Sequence, residues 1–254
     1  MLSKSKIIVI TGGSSGIGYE LALFFSEDNH RVIIIDLYKP RKINNNIFFL
    51  KFNLKNFKNI QSVYSQIKNK FGEVDVLINN ARGGVKKEFL HENYSNFENT
   101  FNIILSSHFF LSQFLIKNKK NKNYLTIINI SSVASKMISS ESAAYHLAKS
   151  GLEQMTKYFA YNSIKKKVKV FSLMPALIIQ KRHYKKFFSG KNIKYRSIAK
   201  IYQNFGKFGE VKDIYSLTNF LIDDSSAFLN GNSFTLDGGS TLVEPFSLLL
   251  KKNF

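Results

Sequence analysis

Apolar positions along this 254-residue chain fall into two alternating textures. Short runs of β-branched and aromatic residues occur at Ile7 to Ile10, Arg31 to Asp36, Ile47 to Asn53, Val74 to Asn79, Leu125 to Ile130, Val168 to Leu173 and Ser233 to Leu236. Most are apolar at consecutive positions, the pattern of strands covered on both faces. Between them lie stretches of helical period at Gly18 to Asp28, Asn56 to Phe71, Asn96 to Lys117, Ser142 to Ile164 and Val211 to Ile222. Strand and helix in alternation predict parallel strands joined by helical crossovers. The expected fold is α/β: a doubly wound, Rossmann-like parallel sheet of seven strands with helices on both faces. No repeat or Pro/Gly-rich linker divides the chain, so one domain over residues 1–254 is expected.

Composition narrows the chemistry. The chain has no cysteine, which removes disulfides, thiol nucleophiles and cysteine-ligated metals. Met1 to Lys6 is basic but runs straight into the first strand without the apolar segment of an export signal. No apolar run is long enough to cross a bilayer, so a cytoplasmic protein with no membrane partner is expected. The formal charge of +20 invites a polyanion reading. Lysine is spread along the whole chain, however, and nucleic acid is not expected as a partner. The runs Lys117 to Lys122 and Lys165 to Lys169 precede the fifth and sixth strands and belong to the edge of the sheet away from ligand. His108 and His146 have no third ligand at useful spacing, so no metal site is expected.

Candidate chemistry begins after the first strand, at Thr11-Gly12-Gly13-Ser14-Ser15-Gly16-Ile17-Gly18. Glycines allow a tight turn and close backbone approach to a diphosphate, and the following helix start offers free N–H groups and a positive dipole. Asp36 ends the second strand about twenty residues further on, where a carboxylate accepts hydrogen bonds from an adenosine ribose and repels a 2′-phosphate. NAD(H) is therefore preferred. Lys39 and Arg41 follow closely and partly offset the repulsion, which leaves NADP(H) open.

The spacing G-x-x-x-G-x-G resembles the short-chain dehydrogenase/reductase family, and the resemblance runs over nearly the whole chain. Asn79-Asn80-Ala81 is similar to the family's N-N-A-G segment, and Ser226 to Gly231 with Asp237-Gly238-Gly239 is similar to its closing signature. Tyr-x-x-x-Lys alone carries little, since it also occurs at Tyr38/Lys42, Tyr64/Lys68 and Tyr161/Lys165. Only Tyr145/Lys149 follows a buried strand that ends in a serine pair, and Ser132 has the family's separation from the tyrosine.

The resemblance implies a catalytic set of Ser132, Tyr145 and Lys149. A free tyrosine, with a pKa near ~10, is a poor base at neutral pH. A neighbouring ammonium favours phenolate, which makes Lys149 the tuner and, by resemblance, the residue that holds the nicotinamide ribose. Ser132 orients the substrate oxygen. Cofactor contacts are expected from Gly12, Ser14, Ser15, Gly16, Ile17, Gly18, Asp36, Asn53, Leu54, Asn80, Ala81, Tyr145, Lys149 and Pro175.

The implied activity is NAD(H)-dependent interconversion of a secondary alcohol and a ketone on a small oxo/hydroxy substrate. A 3-oxoacyl-carrier-protein reductase-like enzyme and a dinucleotide-binding protein with weak or no turnover are the alternatives. The family pairs the Asn96 to Lys117 helix and the tyrosine helix between subunits, and the former is richly apolar here, so a homodimer or homotetramer is expected.

Several positions depart from the family pattern. Ile104 falls at its catalytic asparagine, with Asn102 two residues away. Arg82 replaces the glycine of N-N-A-G, and Asn53 replaces an aspartate near the adenine. Phe171, Ala176 and Gln180 stand where asparagine, glycine and threonine are usual near the sixth strand. The segment 176–205 should cover the active-site mouth as a lid. It carries Lys181, Arg182, His183, Lys185, Lys186, Lys191, Lys194 and Arg196, which suits an anionic substrate.

Overall fold

The computed structural model describes residues 5–120, 122–201 and 208–244. Seven parallel strands form one sheet in the order β3-β2-β1-β4-β5-β6-β9. They are β1 (Ile7–Thr11), β2 (Arg31–Asp36), β3 (Ile47–Lys51), β4 (Val76–Asn79), β5 (Leu125–Ile130), β6 (Val168–Pro175) and β9 (Ser233–Leu236). A separate parallel pair, β7 (Ile178–Ile179) with β8 (Gly209–Glu210), ties the segment after β6 to the chain before the last long helix.

The expected continuous apolar runs explain the layers. Successive residues of a strand point to opposite faces, and here both faces are covered. Ile8, Ile10, Val32, Ile34, Val76, Ile78, Ile128 and Ile130 pack with α1 (Gly16–Glu27) and α8 (Val211–Ile222). Val9, Ile33, Ile35, Leu77, Ile127 and Val170 pack on the other face with α2 (Ile60–Phe71), α4 (Ser107–Asn118) and α5 (Ala143–Asn162). A fully buried isoleucine is worth about 1.5–3 kcal/mol of transfer free energy, so a polar substitution on either face is costly.

Helix boundaries follow local chemistry. α5 starts at Ser142, an extended residue whose hydroxyl accepts the Tyr145 N–H. α8 starts at a capping box in which Glu210 and Asp213 satisfy each other's backbone N–H groups. The single helix expected over Asn96 to Lys117 is instead α3 (Tyr94–Phe101), a π turn at Asn102–Ser106, and α4. At the break the Ser107 N–H bonds to Asn102 O, and the Ser107 and Thr100 hydroxyls bond back to Ile103 O and Asn96 O at 2.7 Å. Such back-bonding loosens the regular ladder, and the extra residue re-aims the side chains that follow.

Of the segment 176–205 expected as a lid, residues 176–201 hold the short helices α6 (Tyr184–Phe187) and α7 (Ile193–Ile201), and 202–205 lie outside the described residues. Of the two basic runs at the opposite edge, Lys169 is buried and donates to Leu221 O, Asp223 O and Ser226 Oγ. Lys166 donates to the Ile116 and Lys117 carbonyls at the end of α4. These two lysines serve the fold. No helix among the described residues is long and apolar enough to cross a membrane.

Candidate active site

Winding from β1 leads to β2 and β3 on one side and from β4 to β5, β6 and β9 on the other, so the strand order reverses between β1 and β4. Ligands of such sheets bind at that crevice, beyond the carboxyl ends of the strands. A cavity of about 740 Å³ opens there.

At one end of the cavity stands the glycine loop. Gly12 and Gly16 take φ of 64° and 61°, conformations L side chains rarely adopt, and a Cβ on Gly12 would come within 2.7 Å of Ala81 Cα. Gly18 faces inward: a Cβ there would meet Asn80 Nδ2 at 2.4 Å and Gly12 O at 2.5 Å. Asn80 explains the crowding, since its side-chain amide donates to the Thr11 and Gly12 carbonyls at 3.0 Å and fixes the loop from β4.

Asp36 also holds the loop. One carboxylate oxygen accepts the Ser14 N–H at 2.9 Å and the other the Leu37 N–H at 2.7 Å. Lys39 and Arg41 form no ion pair with it. Ser14 Oγ is buried with no hydrogen-bond partner. The helix start at Ser15, Gly16 and Ile17 opens onto the cavity, and free N–H groups and a positive dipole there are chemistry a diphosphate would satisfy, so these residues fit a dinucleotide.

Gly12, Ser15, Gly16, Ile17, Asp36, Asn53, Leu54, Asn80, Ala81 and Pro175 line the cavity, whereas Ser14 and Gly18 shape the loop from behind its wall. Asn53 also caps the turn after β3 by accepting the Lys55 N–H.

A buried polar network that sequence reasoning did not find lies under the loop. Thr11 Oγ1 accepts the Asn80 and Ala81 N–H groups at 2.9 and 3.1 Å and lies 2.9 Å from His108 Nε2. The Thr11 hydroxyl also lies 3.5 Å from Ile78 O, and the direction of its bond to the imidazole follows the tautomer. Burial, with the Lys149 ammonium adding to it, drives the His108 pKa down to about 3 against the partial offset of the Ile104 carbonyl. His108 is thus a neutral ring within the core. A second buried set runs from Asn79, which donates to Ser112 and Asn129, to Thr156, which accepts from Asn129. The signal for these residues was a polar side chain inside an otherwise apolar run.

The other end of the cavity brings Ser132, Tyr145 and Lys149 together. Ser132 follows β5 and accepts the Ala134 N–H at 3.1 Å. Lys149 is fully buried, its Nζ 5.6 Å from the centre of the Tyr145 ring, and donates to Ile130 O at 2.6 Å. Burial first, and the Arg82 guanidinium second, lower its pKa to about 7.

The tyrosine differs from expectation. Burial raises its pKa, and the protein groups that pull the other way are Arg82 and Ser132. Lys149 Nζ is committed to the Ile130 carbonyl, and the cation that draws the Tyr145 pKa down against burial is Arg82. Its guanidinium carbon lies 4.8 Å from the ring centre.

The departures sort by position. Ile104 lies in the π turn with its side chain wholly buried in the core, so the helix breaks here with isoleucine at that position and Asn102 at the start of the turn. Phe171 is also core, 6.2 Å from Phe234, and does not reach the site. Ala176, Gln180 and Arg182 do line the cavity. Lys185 and Lys186 are exposed and do not, because α6 carries them outward. His146 accepts the Ser139 N–H at Nε2 and bonds Ser142 O through Nδ1, pinning the loop before α5. No cluster of potential metal ligands occurs among the described residues.

Fold and cavity define a doubly wound nucleotide-binding protein with a Tyr/Lys/Ser centre. The family model for short chain dehydrogenase matches residues 6–186, and the chain belongs to that family of oxidoreductases. It is 26% identical to an NAD-dependent glycerol dehydrogenase of Listeria innocua over 93% of this chain and 94% of the relative. It is also 26% identical to a 3-oxoacyl-[acyl-carrier-protein] reductase of Buchnera aphidicola, over 94% and 98%. Among solved structures, 4-hydroxyisoleucine dehydrogenase complexed with NADH superposes with a TM-score of 0.80 at 30% identity, covering 94% of this chain and all of that one. The same dehydrogenase has been solved with NADH and succinate.

Proposed function

We propose that this oxidoreductase interconverts a secondary alcohol and a ketone on a small, anionic oxo/hydroxy substrate with NAD(H), using Tyr145 as the acid/base. The observation that carries the reading is convergence: Ser132, Tyr145 and Lys149 share one cavity with the glycine loop and Asp36. The dinucleotide, when bound, supplies or accepts the hydride. Tyr145 passes a proton to or from the substrate oxygen, and Ser132 donates a hydrogen bond to the same oxygen, where charge develops. Lys149 holds the cofactor ribose and, when charged, favours phenolate.

Asp36 supports NAD(H) over NADP(H), since its carboxylate faces the cavity without a neutralising partner and a 2′-phosphate would meet it directly. The NADH complexes of a relative 30% identical support the same choice. That relative's complex with succinate supports a carboxylate-bearing substrate, as does the +20 charge of this chain. Half-buried aromatics on α3 and α4, and exposed Leu147, Tyr158 and Tyr161 on α5, support self-association, which light scattering would read directly. Fluorescence titration with NADH and NADPH, followed by NADH-absorbance screening of oxo compounds, tests the activity. Tighter binding of NADH together with turnover of a ketone is expected; failure to bind either nucleotide overturns the reading.

A further inference from the structure

Arg82 is the one departure from the family pattern that points straight at the reacting centre. It follows Ala81, whose N–H is held by Thr11, so its backbone is fixed by the same network that fixes the glycine loop. Its guanidinium sits against the Tyr145 ring and lines the cavity. One partner satisfies it: Nη2 donates to Glu141 Oε2 at 2.6 Å. That is a single end-on contact, although a guanidinium presents a planar fork of donors suited to a carboxylate held side-on.

Glu141 is equally uncommitted, since Arg82 is the only partner of its carboxylate among the described residues. The loop that carries it is anchored through Ser139 to His146, so the side chain can swing while the backbone stays. The side chains of Arg82 and Glu141 are 57% and 28% exposed, and in so wet a setting breaking the ion pair costs little.

We propose that Arg82 is the substrate's carboxylate receptor, that Glu141 occupies the receptor as an internal stand-in, and that the substrate is a small oxo or hydroxy acid. The inference rests on the activity proposed above and adds the recognition element to it. A 2-oxo or 3-oxo acid carries its carboxylate one or two bonds from the carbonyl carbon. With the carbonyl oxygen at Tyr145 and Ser132, that carboxylate falls beside the guanidinium stacked on Tyr145. Exchange replaces one ion pair by another, so an anionic ligand enters at small electrostatic cost. A neutral ketone has nothing to offer Arg82 and leaves the Glu141 pair in place.

The test uses the full chain, saturated with NAD+ for the binding titrations, where an oxo compound has no hydride to accept, and supplied with NADH for the kinetics. Calorimetric titrations compare 2-oxobutanoate, acetoacetate and 4-oxopentanoate with their methyl esters, and NADH-consumption kinetics are run on the same pairs. At least one acid should bind about tenfold or more tightly than its ester, as expected for a charge-assisted hydrogen-bond pair. Arg82→Gln should reduce that acid-to-ester ratio by about 10- to 100-fold, chiefly through KM, and Glu141→Gln should increase it. An NADH affinity within about twofold of the parent identifies a folded Arg82→Gln variant. Acids that bind no better than esters, or a ratio that Arg82→Gln leaves alone, overturn the inference while NADH binding leaves the proposed activity standing. Loss of NADH binding in the parent protein would overturn both.

Discussion

The two ends of the cavity are built in different ways. At the nucleotide end the ligand-facing surface is mostly backbone: glycines at positive φ, the start of α1, and carbonyls clamped by Asn80. At the reacting end it is side chains on a loop and a helix face, set by burial and charge: Tyr145 pushed up, Lys149 pushed down to about 7, and Arg82 over the tyrosine ring with its charge acting on both. Backbone surfaces hold a ligand common to a whole family, whereas side-chain surfaces choose what reacts. Binding and chemistry should therefore separate under mutation.

The sharpest separation is Tyr145→Phe. Removing one oxygen from a half-buried ring leaves the packing intact but removes the proposed proton carrier. kcat should fall by about 10²- to 10⁴-fold, while NADH affinity measured by fluorescence stays within about twofold. A parallel loss of affinity would show that the two ends are one unit. Gly12→Val tests the reverse. Its Cβ would press on Ala81 Cα, at a φ that valine strongly resists,. NADH binding should weaken by about 100-fold or more, with turnover recovered only in proportion to occupancy.

Asp36→Ala is milder because it removes hydrogen bonds without introducing a clash. About tenfold weaker NADH binding is expected, together with a gain in relative NADPH affinity, at an unchanged kcat under saturation. Since Asp36 also accepts the Ser14 N–H, part of the loss would come from the loop, and Asp36→Asn, which keeps an acceptor, should lose less. Equal losses of NADH and NADPH affinity would show that Asp36 acts only on the loop.

The same division explains what the sequence reveals. The central strands were readable because they are covered on both faces and so had to be nearly continuously apolar, whereas the edge strand Ser233–Leu236 is only partly buried and alternates polar with apolar. The glycine loop was readable because positive φ and close approach leave few residue choices. The break at Asn102–Ser106 was not, because a π turn changes hydrogen bonding without changing apolar period by enough to notice, and Ile104 is as apolar as the helix around it. His108 and Thr11 read as isolated polar residues, and only the fold joins them at 2.9 Å. Arg82 was visible as a departure, yet its place over Tyr145 depends on where β4 ends relative to α5, 63 residues along the sequence. Lys185 and Lys186 were visible as charges within the expected lid, yet the sequence said nothing of the direction in which α6 presents them, and they do not line the cavity.

The smallest expected effect concerns stability and bears on why the reacting end is costly to build. Lys149 is fully buried with Ile130 O as its acceptor, its pKa near 7 against 10.5 for a free lysine. Below pH 7 the amine is protonated in both the folded and unfolded chain, and the folded protein bears the full cost of the buried charge. Between pH 7 and 10.5 the unfolded chain binds the proton more strongly, so folding releases it and stability contributed by this group rises with pH. Lys149→Met removes the titration while filling similar volume. The variant's melting temperature relative to the parent should therefore be highest below pH 7 and decline by several degrees, on the order of 5 °C, as pH approaches 10.5. Turnover should be lost at every pH. A melting difference that does not change across that window would mean that the ammonium is solvated or paired in the folded protein, and that the strain assigned to the reacting end lies elsewhere.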